Sequence, residues 1–146
     1  MKSVVLDASV ALAWCFPDEQ SPYADQVLQE LEGRSVLVPA IWALEIANGL
    51  LVGERRKRLT QGEVVRFIDL LEIVPVQEVS VSISTQIAGV LPVAREYGLS
   101  AYDASYLDVA IRHGADLATA DDMLEKAARK AGVSILCASH LRKTKR

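Results

Sequence analysis

Ser3-Val4-Val5-Leu6-Asp7-Ala8-Ser9-Val10 is the stretch on which the fold turns. Val4 to Leu6 is an apolar, β-branched run without polar alternation, the pattern of a strand buried on both faces, and a lone acid, Asp7, closes it. From Val10 the chain stays apolar to Phe16 and then stops at Pro17-Asp18, which predicts a short helix packed directly behind the strand. A buried strand feeding a helix through an acidic turn is the opening unit of a parallel α/β sheet.

The remainder repeats that alternation. Ser21-Pro22 supplies an N-cap and a first-turn proline for a helix to about Glu32-Gly33, and Val36-Leu37-Val38 is a second strand closed by Pro39. Positions 40–55 read as helix, and Thr60 with Glu63 forms a capping box for another to about Glu72. Val74-Pro75-Val76 is a third strand. Helices over 81–97 and 101–113 stop at Gly98 and Gly114. Leu117-Ala118-Thr119 is a strand, 122–130 a helix and Val133 to Cys137 a last strand. The expectation is one α/β domain over 1–146, a short-stranded parallel sheet covered on both faces, with a basic tail from about 141.

Composition narrows the function classes. The 146 residues are 51% hydrophobic, enough for a packed core, and carry a net charge of −3, which speaks against a simple basic nucleic-acid module. Cys15 and Cys137 are too few for a disulfide framework and are expected as reduced, mostly buried thiols. Asp7 interrupts the apolar N-terminus too early for a signal peptide, and no apolar run approaches the roughly 18 residues of a membrane span. A soluble cytoplasmic protein with no membrane partner is expected.

In open parallel sheets, ligands bind beyond the carboxyl ends of the strands, and acids follow two strands here: Asp7 and Asp121. Each has a plainer reading as a helix N-cap, as has Asp122, and Ser100 to Asp103 resembles a capping box. Glu45 is harder to explain that way. Between Ala40 and Val52 only Glu45 and Asn48 are strongly polar, three apart and so on one face of a helix expected to be buried. Glu45 then either lies on a thin solvent stripe or points into a polar site where something cationic neutralises it. Neither His113 nor His140 has metal-ligand spacing. An acid-only set with Ser, Thr and Asn alongside suits Mg²⁺ or Mn²⁺ rather than zinc.

With these residues in place, the chain resembles the PIN-domain family, and within it the VapC-type toxins of toxin–antitoxin modules. The resemblance rests on Val5-Leu6-Asp7-Ala8-Ser9, Val38-Pro39 through Glu45-Ile46-Ala47-Asn48, Tyr102-Asp103-Ala104-Ser105-Tyr106-Leu107 and Leu117-Ala118-Thr119-Ala120-Asp121, in family order across nearly the whole chain. It implies a three-layer α/β/α sandwich and a metal-dependent endoribonuclease. Asp7, Glu45, Asp103 and Asp121 would hold one or two Mg²⁺ or Mn²⁺ ions, Glu45 either as ligand or as orienter of the attacking water. Ser9, Asn48 and Thr119 match polar neighbours of that site. The Thr-x-Asp spacing favours Asp121, with Asp122 its rival, and Asp108 is read as a solvated helix residue. The resemblance also implies an RNA substrate, a VapB-type antitoxin and a homodimer.

Arg55-Arg56-Lys57-Arg58 either complements the end of its helix or contacts RNA phosphates, and the basic tail has the same two readings. Ile41, Trp42, Leu50, Leu51 and Val52 line a partner groove or dimer face, or else pack in the core. Other acidic-pocket folds fit less well: a receiver domain needs paired acids after its first strand, and a haloacid-dehalogenase-type phosphatase needs an acid where Ser9 stands. The remaining alternative is a catalytically silent module that uses its acids to bind a basic peptide.

Overall fold

β1 (Val4–Leu6) is completely buried and forms an inner strand of a parallel sheet. β2 (Val36–Val38) pairs on one side of it, with β3 (Val76–Glu78) beyond, and β4 (Asp116–Ala118) pairs on the other, giving the order β3-β2-β1-β4. The structure is a computed structural model, and it describes residues 1–137.

Helices α1 (Ala8–Cys15) and α2 (Pro22–Glu30) join β1 to β2, with a 3₁₀ turn over Pro17–Glu19 between them. Helices α3 (Trp42–Arg55) and α4 (Gln61–Ile73) continue to β3. The chain then reverses direction across the sheet through α5 (Ile83–Tyr97) and α6 (Ala101–His113) to reach β4, and α7 (Asp122–Lys130) follows. Right-handed crossovers in opposite directions place their helices on opposite faces. Accordingly α2, α3 and α4 gather around α1, while α5 and α7 gather around α6, which itself lies on β1, β2 and β4. The expected α/β/α sandwich is present.

Local signals hold closely. Ser21 caps α2, Thr60 and Glu63 form the reciprocal capping box of α4, and Gly98 and Gly114 end α5 and α6 in left-handed conformation. Two strands differ from expectation. Pro75 has no N–H to donate, so the third ladder starts only at Val76. The last strand is reduced to one parallel bridge, Ile135 with Leu117, because the chain turns at Leu136 and Cys137 takes a φ of 56°.

Two glycines bring α3 onto α1. A Cβ on Gly49 would lie 2.7 Å from a Leu12 methyl, and one on Gly53 would lie 2.7 Å from the Phe16 ring. The expectation that α3 is buried nearly all round fails. Trp42, Ile46, Leu50 and Gly53 form its buried face, whereas Leu44, 68% exposed, and Ala47, Asn48 and Leu51 face outward.

Candidate active site

The sheet order reverses about β1 and β4, so the crevice for a ligand opens beyond their carboxyl ends. Asp7 stands there, directly after β1, its backbone N–H donating to Ala118 O at 2.9 Å. It occupies the N-cap position of α1 but makes no side-chain cap bond. Instead its Oδ2 accepts from Ser9 Oγ at 2.8 Å and from Thr119 Oγ1 at 2.7 Å. The same hydroxyls accept from the next loop: Asp121 N–H donates to Thr119 Oγ1 and Ala120 N–H to Ser9 Oγ. Sequence reasoning named both hydroxyl residues; the structure makes them the clasp between the two strand ends.

Asp7 is 6% exposed, and burial pushes its carboxyl pKa up. The Thr119 and Ser9 hydrogen bonds work against that shift, and the charge of Glu45 adds to it. Asp103, half-buried in the first turn of α6, is likewise pushed up, first by burial and then by the negative charges of Asp121 and Asp7. These couplings link four acids drawn from four separate segments. Only half of the expected capping box at Ser100 forms. Ser100 Oγ accepts the Asp103 N–H as the N-cap of α6, and the Ser100 side chain works against the upward shift of the Asp103 carboxyl.

Asp121 does cap α7, with Oδ1 accepting from Met123 and Leu124 N–H. The cap reading of this residue holds and uses one oxygen, while its negative charge still reaches Asp103. Asp122 is exposed at the first helical position. The side chain of the exposed Asn48 makes no hydrogen bond among the described residues.

Glu45 departs from expectation in its partner. No cation meets it; the hydroxyl of Tyr106, a side chain with no solvent exposure, donates to Glu45 Oε1. Burial, followed by the Glu45 bond, raises the Tyr106 phenol far above its ordinary range, so it remains a donor. Sequence reading placed Tyr106 within the Tyr102–Leu107 segment but gave it no role; its spacing three after Asp103, on the same helix face, was the available signal.

Asp108 corrects the reading as a solvated residue. It is 5% exposed, its carboxylate lies against Gly89 of α5, and Arg112 one turn on pairs with it at 3.1 Å. The pair lies within α6, and the missing side chain of Gly89 lets α5 pack closely over the carboxylate. In the basic run, Arg58 is occupied: it bridges Asp18 and Glu19 and lies 4.2 Å over the Phe16 ring. Arg55, Arg56 and Lys57 are exposed. Trp42 and Leu50 belong to the core, Ile41 and Val52 are half-buried, and Leu51 is exposed. Both cysteines are free and half-buried rather than mostly buried. His140 and the basic tail lie outside the described residues.

The donor set fits a hard divalent cation. Among the described residues no Lys, Arg or His pairs with Asp7, Glu45, Asp103 or Asp121, so a buried carboxylate and its acidic neighbours face one another uncompensated. Among those residues no three acidic, His or Cys groups are drawn together closely enough to hold a metal ion as they stand.

Comparison with known proteins agrees with this architecture. A model of the PIN domain matches residues 4–130. Ribonuclease VapC3 of Pyrobaculum aerophilum is 30% identical over 122 residues, covering 83% of this chain and 91% of that protein. The crystal structure of PAE2754 from Pyrobaculum aerophilum superposes with a TM-score of 0.64 at 28% identity, over 86% of this chain and 79% of that one. VapBC2 from Rickettsia felis, solved bound to a DNA fragment from its promoter, shares the fold with a TM-score of 0.60 at 13% identity, over 90% of this chain and 96% of that one. The chain, with its sheet reversal at Asp7 and its four coupled acids, belongs to the PIN-domain family, among its VapC-type members.

Proposed function

We propose that this protein is a Mg²⁺- or Mn²⁺-dependent endoribonuclease, the toxin of a VapBC-type module acting in the cytoplasm. What supports the reading is that the charge of Glu45 reaches Asp7 and those of Asp7 and Asp121 reach Asp103, with no Lys, Arg or His paired to any of the four among the described residues. A divalent cation bound by such a set supplies an activated water and charge neutralisation for the phosphate and leaving oxygen.

The chain's own groups have separable tasks. Ser9 and Thr119 fix the Asp7 carboxylate, leaving Oδ1 outside their clasp. Asp103 and Asp121 provide further hard oxygens, and Glu45, kept near Asp7, either joins them or accepts a proton from the attacking water. Arg55, Arg56 and Lys57 contact RNA phosphates beside the site. Arg55 lies ten residues beyond Glu45, about 15 Å along the α3 axis. Arg58 holds the 3₁₀ turn instead.

The partner is a VapB-type antitoxin, a reading supported by the similarity to VapC3. An apolar hollow of about 310 Å³ between Ile41, Ile87, Leu91 and Tyr102, with exposed Leu44 and Ile83 nearby, supports a homodimer.

The test is incubation of total RNA with wild type and Asp7→Asn, in Mg²⁺ and in chelator. The expected outcome is cleavage by wild type with Mg²⁺ alone, reduced at least about a hundredfold in the variant. Equal cleavage in all samples excludes this site as its source. Metal binding without cleavage of any RNA favours the silent interaction module.

A further inference from the structure

Glu45 is the one acid of the four whose position depends on a long side chain. It leaves the first turn of α3, is half-exposed, and meets the negative charge of Asp7 across the site. Repulsion from Asp7 and its own rotamer freedom both favour swinging the carboxylate out to solvent. Among the described residues a single hydrogen bond opposes this, the one Glu45 Oε1 accepts from Tyr106. The donor is well built for holding. The Tyr106 ring is wholly inside the core on α6, the helix that also presents Asp103, so packing fixes where the hydroxyl points. Donation to Oε1 leaves Oε2 outside this bond.

We propose that Tyr106 is a positioning residue, whose buried hydroxyl holds the Glu45 carboxylate among the other acids and thereby sets the affinity of the site for its divalent cation. The inference rests on the metal-dependent reading above and concerns a residue that touches neither cation nor RNA. Groups that orient metal ligands from behind typically change metal affinity or activity by about 10- to 100-fold when removed.

The experiment compares wild type, Tyr106→Phe, Glu45→Gln and the double variant. Mn²⁺ affinity is measured by calorimetry, thermal unfolding in chelator, and kcat and KM on a cleavable RNA. Tyr106→Phe is expected to unfold cooperatively, to bind Mn²⁺ about tenfold or more weakly, and to lose kcat while KM for RNA holds. The double variant is expected to bind no worse than Glu45→Gln, because both changes remove one interaction. Glu45→Asp, which keeps the charge but withdraws it from Tyr106, guards against a folding failure of Tyr106→Phe and should show the same loss. Wild-type Mn²⁺ affinity in Tyr106→Phe, or additive losses in the double variant, overturns the proposal alone. A wild type that neither binds Mn²⁺ nor cleaves RNA overturns the functional reading, and this proposal with it.

Discussion

Asp7 shows at the scale of one residue how function is set against stability. Its carboxylate is buried beside other acids with hydroxyls for company, an arrangement whose cost a proton or an added cation relieves. In chelator, Asp7→Asn should therefore unfold at or above the wild-type temperature. Mn²⁺ should raise the melting temperature of wild type by several degrees and leave the variant unmoved, a difference readable by thermal shift. Thr119→Val keeps the shape but removes the bond to Asp7 and the acceptor for Asp121 N–H. Chemical denaturation should register a loss of about 1–3 kcal/mol, with Mn²⁺ affinity weakened as well. Asp7 was legible in the sequence because it follows a strand, where ligand sites form, and Thr119 only through the family resemblance. Tyr106 was not, because a buried tyrosine in an apolar helix has the same pattern as any core residue until its hydroxyl's partner is known. Asp108 carried a signal that was passed over: Arg112 stands four residues on, the spacing of a helical ion pair.

The elements explain which basic residues of the Arg55–Arg58 run are left without an ion pair among the described residues. The end of α3 releases Arg55, Arg56 and Lys57 outward, while Arg58 turns back to Asp18, Glu19 and Phe16. Replacing the first three with Gln should weaken RNA binding and shallow its salt dependence, each lost phosphate contact reducing the log–log slope by about 0.7. Melting temperature and Mn²⁺ affinity should not change. Arg58→Gln should instead lower the melting temperature and alter the salt slope little. On the opposite face, Arg112→Leu leaves the buried Asp108 carboxylate without its partner against α5, and denaturation should show a cost of roughly 1–3 kcal/mol. Helix limits were readable to within a residue or two, since Ser21, Thr60, Glu63, Gly98 and Gly114 act locally. Strand limits were less so. The ladder at Val76 depends on a missing proline N–H, and the final segment fails as a strand through a backbone turn at Cys137 that no side-chain pattern announces.

Across the whole molecule, the charge of −3 takes on a different meaning once its location is known. Setting aside the four acids at the sheet reversal leaves a slightly basic remainder, with three exposed cations at the end of α3. A cation between the acids would reverse the sign where RNA must approach. Among the described residues no helix is long and apolar enough to cross a membrane. Apolar surface at Leu44, Ile83 and Ile87 is left for protein partners. Topology is what unites the site: parallel strands ending at one crevice bring together residues as distant as Asp7 and Asp121, which explains how weak, separate motifs combine into a single chemical unit. The measurement that tests this most directly is a calorimetric Mn²⁺ titration of wild type and of Asp7→Asn, Glu45→Gln, Asp103→Asn and Asp121→Asn, with Asp25→Asn as a surface control. Saturable binding by wild type and the control, weakened about tenfold or more by each of the four site changes, is the predicted result. Equal Mn²⁺ affinity in all six proteins, or no binding in any, would contradict it.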